Sequence, residues 1–512
     1  MRGILLVIAA AVAAFFLVLG GSFHFDDYLL LSDPAITSPG GWIDVWRPVQ
    51  TRPLTWFTFW LNHRLAGGAP ASYHAVNLAL HAAAAALLLV ALRRLVDQRV
   101  ALIAALVFAV HPIQTEPVAY VYARGTLLCA LLSIATLAAW LDRRDWLAVA
   151  AFAAALAAKE ECVALPLMLG LLWFTGAVRE RRRLAPLAAM VGLALVAGAR
   201  VIWATTVVKG AGAAFGASVS PLEYASWQGA AIMRYLTMLV APWGFTIDPE
   251  LPAAVALRVL AWVGVGVLAA LAARRWSGRG WGFWFLAGLL LLAPSSSILP
   301  ANDLAADRRM YLPMIAFSVC LALALSAWRG WIRTAVLVLL AAVSTGYSWI
   351  WRSEVSLWTE AMHRSPSHSR PKIWLSRAIP PERALPLLVE TERNAPDDEA
   401  VASEVGRVYL QLGRPAEALP AFGRALALKP GDANAINNRG VALQLLGQRD
   451  AAVQDFVRAL AIDPCLFHAR LNLKRLGPAL AGRESSMVPS PAGCRYTPEQ
   501  AAQLEPRPPG TN

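Results

Sequence analysis

Charge is scarce in this sequence. Only 15% of its 512 residues are Asp, Glu, Lys or Arg, while 57% are hydrophobic and the mean hydropathy is +0.50. An ordinary soluble domain carries about 25% charged residues. A soluble enzyme and a disordered chain are therefore both excluded, and a polytopic membrane protein remains. Cysteine is also sparse. Five cysteines with no CxxC pair build no disulfide framework. Cys129, Cys162 and Cys320 lie in apolar runs and read as packing residues, whereas Cys465 and Cys494 can pair if their region is oxidised. No HExxH or comparable metal spacing is present, so no metal ligand is assigned. A Gly-rich loop for nucleotide phosphates is missing too. Only five of the 46 basic residues are lysine. That bias, with abundant alanine, reads as a GC-rich bacterial genome, which places the chain in the inner (cytoplasmic) membrane.

What is present is a series of apolar runs. They fall at 4–21, 75–92, 99–111, 126–141, 146–158, 162–177, 184–207, 253–273, 281–294, 310–327 and 331–350. A membrane helix needs about 20 apolar residues, so several are short and need neighbours to bury their ends. Of the net charge of +13, residues 1–350 supply +10, from 26 Lys+Arg against 16 Asp+Glu. This excess lies in the apolar part, where it orients helices rather than gripping nucleic acid. With the N-terminus cytoplasmic, every dense cluster falls inside: Arg93, Arg94 and Arg99; Arg143 and Arg144; Arg179 and Arg181 to Arg183; Arg274, Arg275 and Arg279; Arg329 and Arg333. This requires segment 225–241, interrupted by Gln228 and Arg234, to be re-entrant or superficial. Eleven spans follow, with the C-terminal region periplasmic. An external loop at 22–73 carries Trp42, Trp46, Trp56 and Trp60. Pro53 opens a helix there whose Leu54, Phe57, Leu61 and Leu65 suit the membrane surface.

The last third is a repeat. Pro396, Pro430 and Pro464 stand 34 residues apart. Within 399–430, Gly406, Tyr409, Ala418, Phe422 and Ala425 recur as Gly440, Leu443, Ala452, Phe456 and Ala459 within 433–464. Small residues let two helices approach and the aromatic fills the gap between them, which is the tetratricopeptide pattern. A degenerate unit at 365–396 precedes it and 466–476 can cap it. The expected organisation is all-α: a membrane domain at 1–350, repeats over 351–482, and a disordered Pro/Gly/Ser-rich tail at 483–512. The stacked repeats offer a concave surface to a protein or peptide partner, while the apolar domain partners the lipid bilayer.

Charge at a membrane edge is costly and points to function. Asp26 and Asp27 follow the first run directly, at its outer end. Two adjacent carboxylates raise each other's proton affinity, which suits a general base; a helix cap in a solvated turn uses the same residues. His74, Asn77 and His81 share one helical face. A first span ending in an acidic pair resembles the GT-C membrane glycosyltransferases. More specifically, Arg52-Pro53-Leu54-Thr55 with Tyr73-His74-Ala75-Val76-Asn77 and His81 resembles a block of the transmembrane-and-tetratricopeptide O-mannosyltransferases. So do His111-Pro112-Ile113-Gln114-Thr115-Glu116, Lys159-Glu160, and Asp307-Arg308-Arg309-Met310-Tyr311-Leu312-Pro313. The chain departs from that family at Gln114, where a second histidine is usual. It departs again at Arg124-Gly125-Thr126, in place of Arg-Ala-Asp, and at Asp307, in place of glutamate.

The resemblance implies a GT-C-type domain that transfers a sugar, mannose first, from a polyprenyl-phosphate carrier to a hydroxyl of a periplasmic protein, with inversion. Asp26 or Asp27 would be the base, and Asp27→Asn is expected to abolish transfer. Arg308, Lys159, Arg52 and Arg124 would hold the donor phosphate, with Arg234 and Arg309 as further cations. His74, Asn77, His81, His111, Glu116, Glu160, Asp307 and Tyr311 would line the cavity. A divalent cation beside the acidic pair is compatible with some relatives. Lys159-Glu160 also fits an internal ion pair, and Arg308 and Arg309 also fit snorkelling at the interface. Two other classes remain open: a non-catalytic scaffold that gathers envelope proteins, and a GT-C enzyme acting on glycan or lipid.

Overall fold

The computed structural model describes residues 1–47, 50–175, 184–206, 219–276, 280–298, 300–301 and 303–476, with Cys494, Tyr496, Gln500, Gln503 and Leu504 beyond them. The arginines at 179 and 181–183, Arg279 and most of the expected disordered tail lie outside the described residues. Among the described residues every regular element is helical, and the chain divides into two units at Ser353/Glu354, with Ser32–Thr37 grouped with the second.

The first unit opens with α1 (Arg2–Phe15), drawn out to Gly20 by a tighter 3₁₀ turn. Three short helices, α2 (Asp27–Ser32), α3 (Pro34–Thr37, which falls in the second unit) and α4 (Gly41–Asp44), precede α5 (Pro53–Ala66). Pro53 starts α5 because its missing N–H is an orphan there in any case. Next come α6 (Pro70–Leu92), α7 (Gln98–Val110), α8 (Thr115–Ala119), α9 (Arg124–Leu141), α10 (Asp145–Ala158) and α11 (Leu165–Phe174). They are followed by α12 (Leu184–Thr206), α13 (Pro221–Val240), α14 (Val255–Arg274), α15 (Trp281–Leu292), α16 (Met314–Ser326) and α17 (Gly330–Ile350). Each of the eleven apolar runs coincides with one of these helices. Length is another matter. Among the described residues six helices are long and apolar enough to cross a membrane, and seven if α7 and α8, bent by 50° at His111-Pro112, form one span. Helices α10, α15 and α16 are apolar but have only 14, 12 and 13 residues. Helix α13 has 20 residues but does not belong to the apolar six. Apolar runs report burial; Pro, Gly and polar breaks decide where a helix stops.

The second unit is a stack of antiparallel helix pairs. It comprises α18 (Glu354–Arg364), α19 (Ser369–Ala378) with α20 (Pro381–Asn394), α21 (Glu399–Gln411) with α22 (Pro415–Leu428), α23 (Ala433–Leu445) with α24 (Arg449–Ile462), and α25 (Phe467–Arg475). Asp398 and Asp432 cap α21 and α23 through their side chains. Gly406 and Gly440 let Phe422 and Phe456 seat against the helix backbone: a β-carbon at either glycine would meet the ring at 2.7 Å. The pair α19–α20 keeps little of the repeat signature, yet Ile373, Ala384 and Leu388 pack into one core with Val401 and Val405. Cys465 and Cys494 form a disulfide, with Cα atoms 5.2 Å apart.

Candidate functional site

The site is built on the turn that follows the first span. Phe25 has φ +49°, a left-handed conformation that costs a non-glycine residue about 1–3 kcal/mol. What holds the turn is Asp27. Its Oδ2 accepts from the His24 N–H at 3.0 Å and its Oδ1 from the Tyr122 N–H at 2.7 Å. Asp27 is fully buried, so it works as a strut joining this turn to the segment between α8 and α9. Burial pushes its carboxyl up to about 8; the His24 and Tyr122 amides act against that, and the neighbouring Asp26 charge adds to it. His24 is the second strut. Its Nε2 lies 2.6 Å from the Trp351 carbonyl and its ring meets Trp351 edge-on. Burial lowers its pKa to about 4, which the Trp351 carbonyl partly opposes.

Asp26 is different. It is half-buried, and its Oδ2 accepts from the Tyr120 hydroxyl at 2.7 Å. The same turn thus carries one enclosed carboxyl and one carboxylate at the wall. Tyr120 and Tyr122 set their rings 6.2 Å apart, and Tyr120 also faces Trp351 at 5.9 Å. Neither tyrosine stands in a motif that sequence reading singled out. The signal was two aromatics two residues apart, at the start of an apolar run, between Glu116 and Arg124.

Helix α6 stands behind this wall. His74 Nε2 is 3.3 Å from the Ser22 carbonyl, Asn77 Nδ2 donates to the Tyr120 carbonyl at 3.2 Å, and His81 Nδ1 is 2.9 Å from the Tyr311 hydroxyl. The three residues share a face, as their spacing requires, and each ties α6 to a different segment. His111 closes the α7–α8 bend: its Nδ1 accepts from the Ile113 amide and its Nε2 lies 3.2 Å from the Leu239 carbonyl.

The cations divide by exposure. Arg124 is fully buried. It donates to Asn77 Oδ1, Asn62 Oδ1 and the Thr58 and Tyr73 carbonyls, and its guanidinium stacks 4.4 Å from the Phe59 centroid. This is a structural clamp, filled by neutral acceptors. Lys159, 12% exposed, pairs with Glu161 rather than Glu160 and donates to Thr126 Oγ1 at 2.7 Å. Glu160 is instead held bidentately by Arg52, at 2.6 and 3.1 Å. Burial opposes ionisation of Glu160, but the Arg52 guanidinium prevails and holds its carboxyl down to about 2. Arg308 bridges Glu116 and Asp303, each at 2.5 Å, and donates its backbone N–H to Glu116 at 2.9 Å. Arg234 pairs with Asp307, and Arg309 caps the Leu304 and Asp303 carbonyls. Arg52 and Arg308 keep 35% and 25% of their side chains exposed. Arg308 acts electrostatically on Tyr120 and Arg52 on Tyr122, the two tyrosines whose hydroxyl and N–H bond the acidic turn. Glu161, Asp303 and Trp351 complete the network and were not anticipated. Among the described residues no group of three or more His, Cys, Asp or Glu is placed to hold a metal ion.

Comparison with known proteins adds a lineage to this geometry. Residues 404–432 and 433–462 match tetratricopeptide repeat families. The chain is 26% identical over 447 residues to the protein O-mannosyl-transferase TMTC3 of Homo sapiens, covering 74% of this chain and 48% of that one. Over 95 residues it is 43% identical to the protein O-mannosyl-transferase TMTC4 of Homo sapiens, covering 16% and 13%. Over 128 residues it is 36% identical to the protein O-mannosyl-transferase Tmtc1 of Drosophila melanogaster, covering 23% and 15%. The chain spans about half the length of the TMTC3 relatives it matches. A crystal structure of MamA superposes with a TM-score of 0.23 and 17% identity, covering 26% of this chain and 81% of that one. The chain thus resembles the membrane O-mannosyltransferases that carry tetratricopeptide repeats, in its membrane part as well as in its repeats.

Proposed function

We propose that this chain is a membrane glycosyltransferase. It moves a sugar, mannose first, from a polyprenyl-phosphate carrier to a hydroxyl of a protein acceptor. The observation that carries the reading is a half-buried carboxylate, Asp26, in a turn bonded to Tyr120 and Tyr122, the tyrosines on which the partly exposed Arg308 and Arg52 act. Likeness to the O-mannosyl-transferases supports the same reading.

The chemistry follows from the charges. Asp26 takes the proton of the acceptor hydroxyl as the oxygen attacks the anomeric carbon. The bond from that carbon to the phosphate oxygen breaks on the opposite face, so configuration inverts, and the electron pair leaves with the lipid phosphate. Arg308 and Arg52 balance the charge that develops there, because a planar fork suits phosphate. Arg124 holds the scaffold and Lys159 stands behind Arg52. Asp27 keeps the turn closed and takes no proton from substrate. The repeats present the acceptor, and the outer face of an inner membrane is the compartment.

The test uses purified protein in lipid, radiolabelled polyprenyl-phosphate-mannose and an envelope extract as acceptor. Label enters protein with the wild type and is lost with Asp26→Asn. Label in glycan or lipid would move the acceptor class. Full turnover by Asp26→Asn would remove Asp26 from the mechanism. Failure of every sugar donor with the wild type would leave a scaffold.

A further inference from the structure

We propose that the first unit holds a phospholipid by its headgroup, at the end of α6 opposite the acidic turn, and that this headgroup is phosphoethanolamine. The proposal is independent of sugar transfer. It needs only that α1 and α6, both long and apolar enough to cross a membrane, do cross. It starts from a cavity of about 250 Å³ where the turn between α6 and α7 meets α16. Leu95, Val96, Val100 and Leu323 make its walls apolar, while Arg93, Arg94 and Asp97 bring charge to it. Helix α6 ends at Leu92, one residue before Arg93, so the cavity lies at the level of lipid headgroups.

The three charges are not alike. Arg94 is engaged: it pairs with Asp142 at 2.7 Å and donates to the Val90 carbonyl at 2.8 Å. Arg93 and Asp97 are exposed, and neither side chain makes an ion pair or a hydrogen bond among the described residues. Asp97 stands at the N-cap of α7, where a carboxylate ordinarily accepts from the first free amides, yet it makes no such bond. Arg93 lays its guanidinium against α1, where a β-carbon on Gly3 would meet it at 3.0 Å. One cation and one anion, four residues apart, thus line a single apolar cavity without neutralising each other among the described residues.

That pair of charges selects the ligand. A simple anion at Arg93 would meet the Asp97 carboxylate, and a simple cation at Asp97 would meet Arg93. A zwitterion satisfies both. The planar fork of Arg93 suits a phosphodiester, and the Asp97 carboxylate accepts from a primary ammonium. A choline headgroup has no N–H to donate, and no aromatic ring among the described residues lines the cavity to hold a quaternary ammonium. A glycerol headgroup would leave Asp97 facing the phosphate with no cation between them. The space falls a little short of the roughly 300 Å³ at which pockets for drug-sized ligands begin, so it takes a headgroup and leaves the acyl chains outside in the bilayer. A lipid seated here bridges the end of α6 to α7 and α16, and binding only the folded chain it adds stability.

The intact protein, stripped of lipid in detergent, is offered dioleoyl phosphatidylethanolamine, phosphatidylcholine or phosphatidylglycerol, and bound lipid is counted by native mass spectrometry. The wild type is expected to retain the ethanolamine lipid about fivefold better than the other two. Asp97→Asn should erase that preference, and Arg93→Ala should weaken retention of all three. Arg99→Ala, in the same basic cluster but outside the cavity lining, should change nothing. Thermal unfolding without lipid should be the same for all four proteins, because every altered side chain is exposed. The ethanolamine lipid should raise the melting temperature of the wild type and Arg99→Ala alone. Water-soluble glycerophosphoethanolamine should compete weakly, and displacement of the lipid at equal concentration would overturn a membrane lipid as the occupant. Equal retention of the three lipids by the wild type, or preference for the glycerol lipid, would overturn the headgroup. A preference that survives in Asp97→Asn, or retention unchanged in Arg93→Ala, would overturn the place.

Discussion

At the scale of single residues, the acidic turn carries two ionisable groups pushed in opposite directions. Burial holds His24 at about 4, against 6.5 when exposed, and holds Asp27 at about 8, against 3.8. Between pH 4 and 6.5 the closed turn binds one proton fewer than the open turn at His24 and one more at Asp27. The two slopes cancel there. Between pH 6.5 and 8 only Asp27 differs, and the closed turn holds the extra proton, so stability falls as pH rises. Amide exchange at His24 and Tyr122, the two donors to Asp27, reads this opening directly. Corrected for intrinsic rates, protection should be level from pH 4 to 6.5 and drop towards pH 8. Asp27→Asn should abolish the drop and expose the His24 term, so that protection rises from pH 4 to 6.5. Protection that rises from pH 4 to 6.5 in the wild type and then stays level to pH 8 would mean that Asp27 is ionised in the closed turn. None of this could be read from the sequence. The string Asp26-Asp27 marked the place, but the Asp27 partner at Tyr122 lies 95 residues away and Tyr120 lies 94 from Asp26. Lys159-Glu160 misled in the same way, since adjacency suggested a pair that Arg52 and Glu161 divide between them.

At the scale of elements, the repeats show what one small residue does. A β-carbon at Gly440 would lie 2.7 Å from the Phe456 ring and 3.2 Å from Asp455 Cβ, and Phe456 is fully buried. The ring has no empty side to move into, so Gly440→Ala should destabilise the solenoid by about 1–3 kcal/mol. Thermal unfolding of the intact protein, followed by tryptic cleavage within 399–475, measures it. Adding Phe456→Leu should recover part of the loss by removing the ring edge, whereas Phe456→Leu alone should cost stability by leaving a void. Equal stability of Gly440→Ala and wild type would mean that the helix pair slides freely. These repeats were legible in sequence because their period of 34 is set by contacts within each unit. The pair α19–α20 was harder to read because an apolar core needs only Ile373, Ala384 and Leu388, and the signature glycine and aromatic can be dispensed with. Span lengths were harder still. The run at 99–111 does not announce that the chain bends by 50° and continues to Ala119.

At the scale of the whole molecule, contacts within the first unit sort its helix ends into two sets, and that sorting predicts which side of the membrane each terminus occupies. One set gathers the start of α1, the end of α6 and the end of α9: a β-carbon on Gly3 would lie 3.0 Å from Arg93, and Arg94 pairs with Asp142 at 2.7 Å. The other gathers the acidic turn, the start of α6 through His74, and the Tyr120 segment. The bent pair α7–α8 therefore runs from the Arg93 end to the Asp26 end, although neither half would span alone. Helix α10, with 14 residues or about 21 Å against a core of about 30 Å, begins beside Asp142 and ends at Lys159 on Thr126, near the opposite end of α9. Its two ends thus lie one in each set. Helix α17 delivers Trp351 to His24 at the Asp26 end. However many of the short helices cross, the chain enters this unit at one end and leaves it at the other, so an odd number of crossings is expected. The Cys465–Cys494 bond argues independently that the repeats stand in an oxidising compartment. Sealed inner-membrane vesicles of right-side-out orientation, carrying one epitope before Met1 and another after Asn512, should lose only the C-terminal epitope to added protease. A non-reducing digest of the same sample should yield the Cys465 and Cys494 peptides as one species. Loss of both epitopes, or of neither, would require an even number of crossings. Trp351 could then not meet His24 on the same side of the bilayer, and that contact would have to be redrawn.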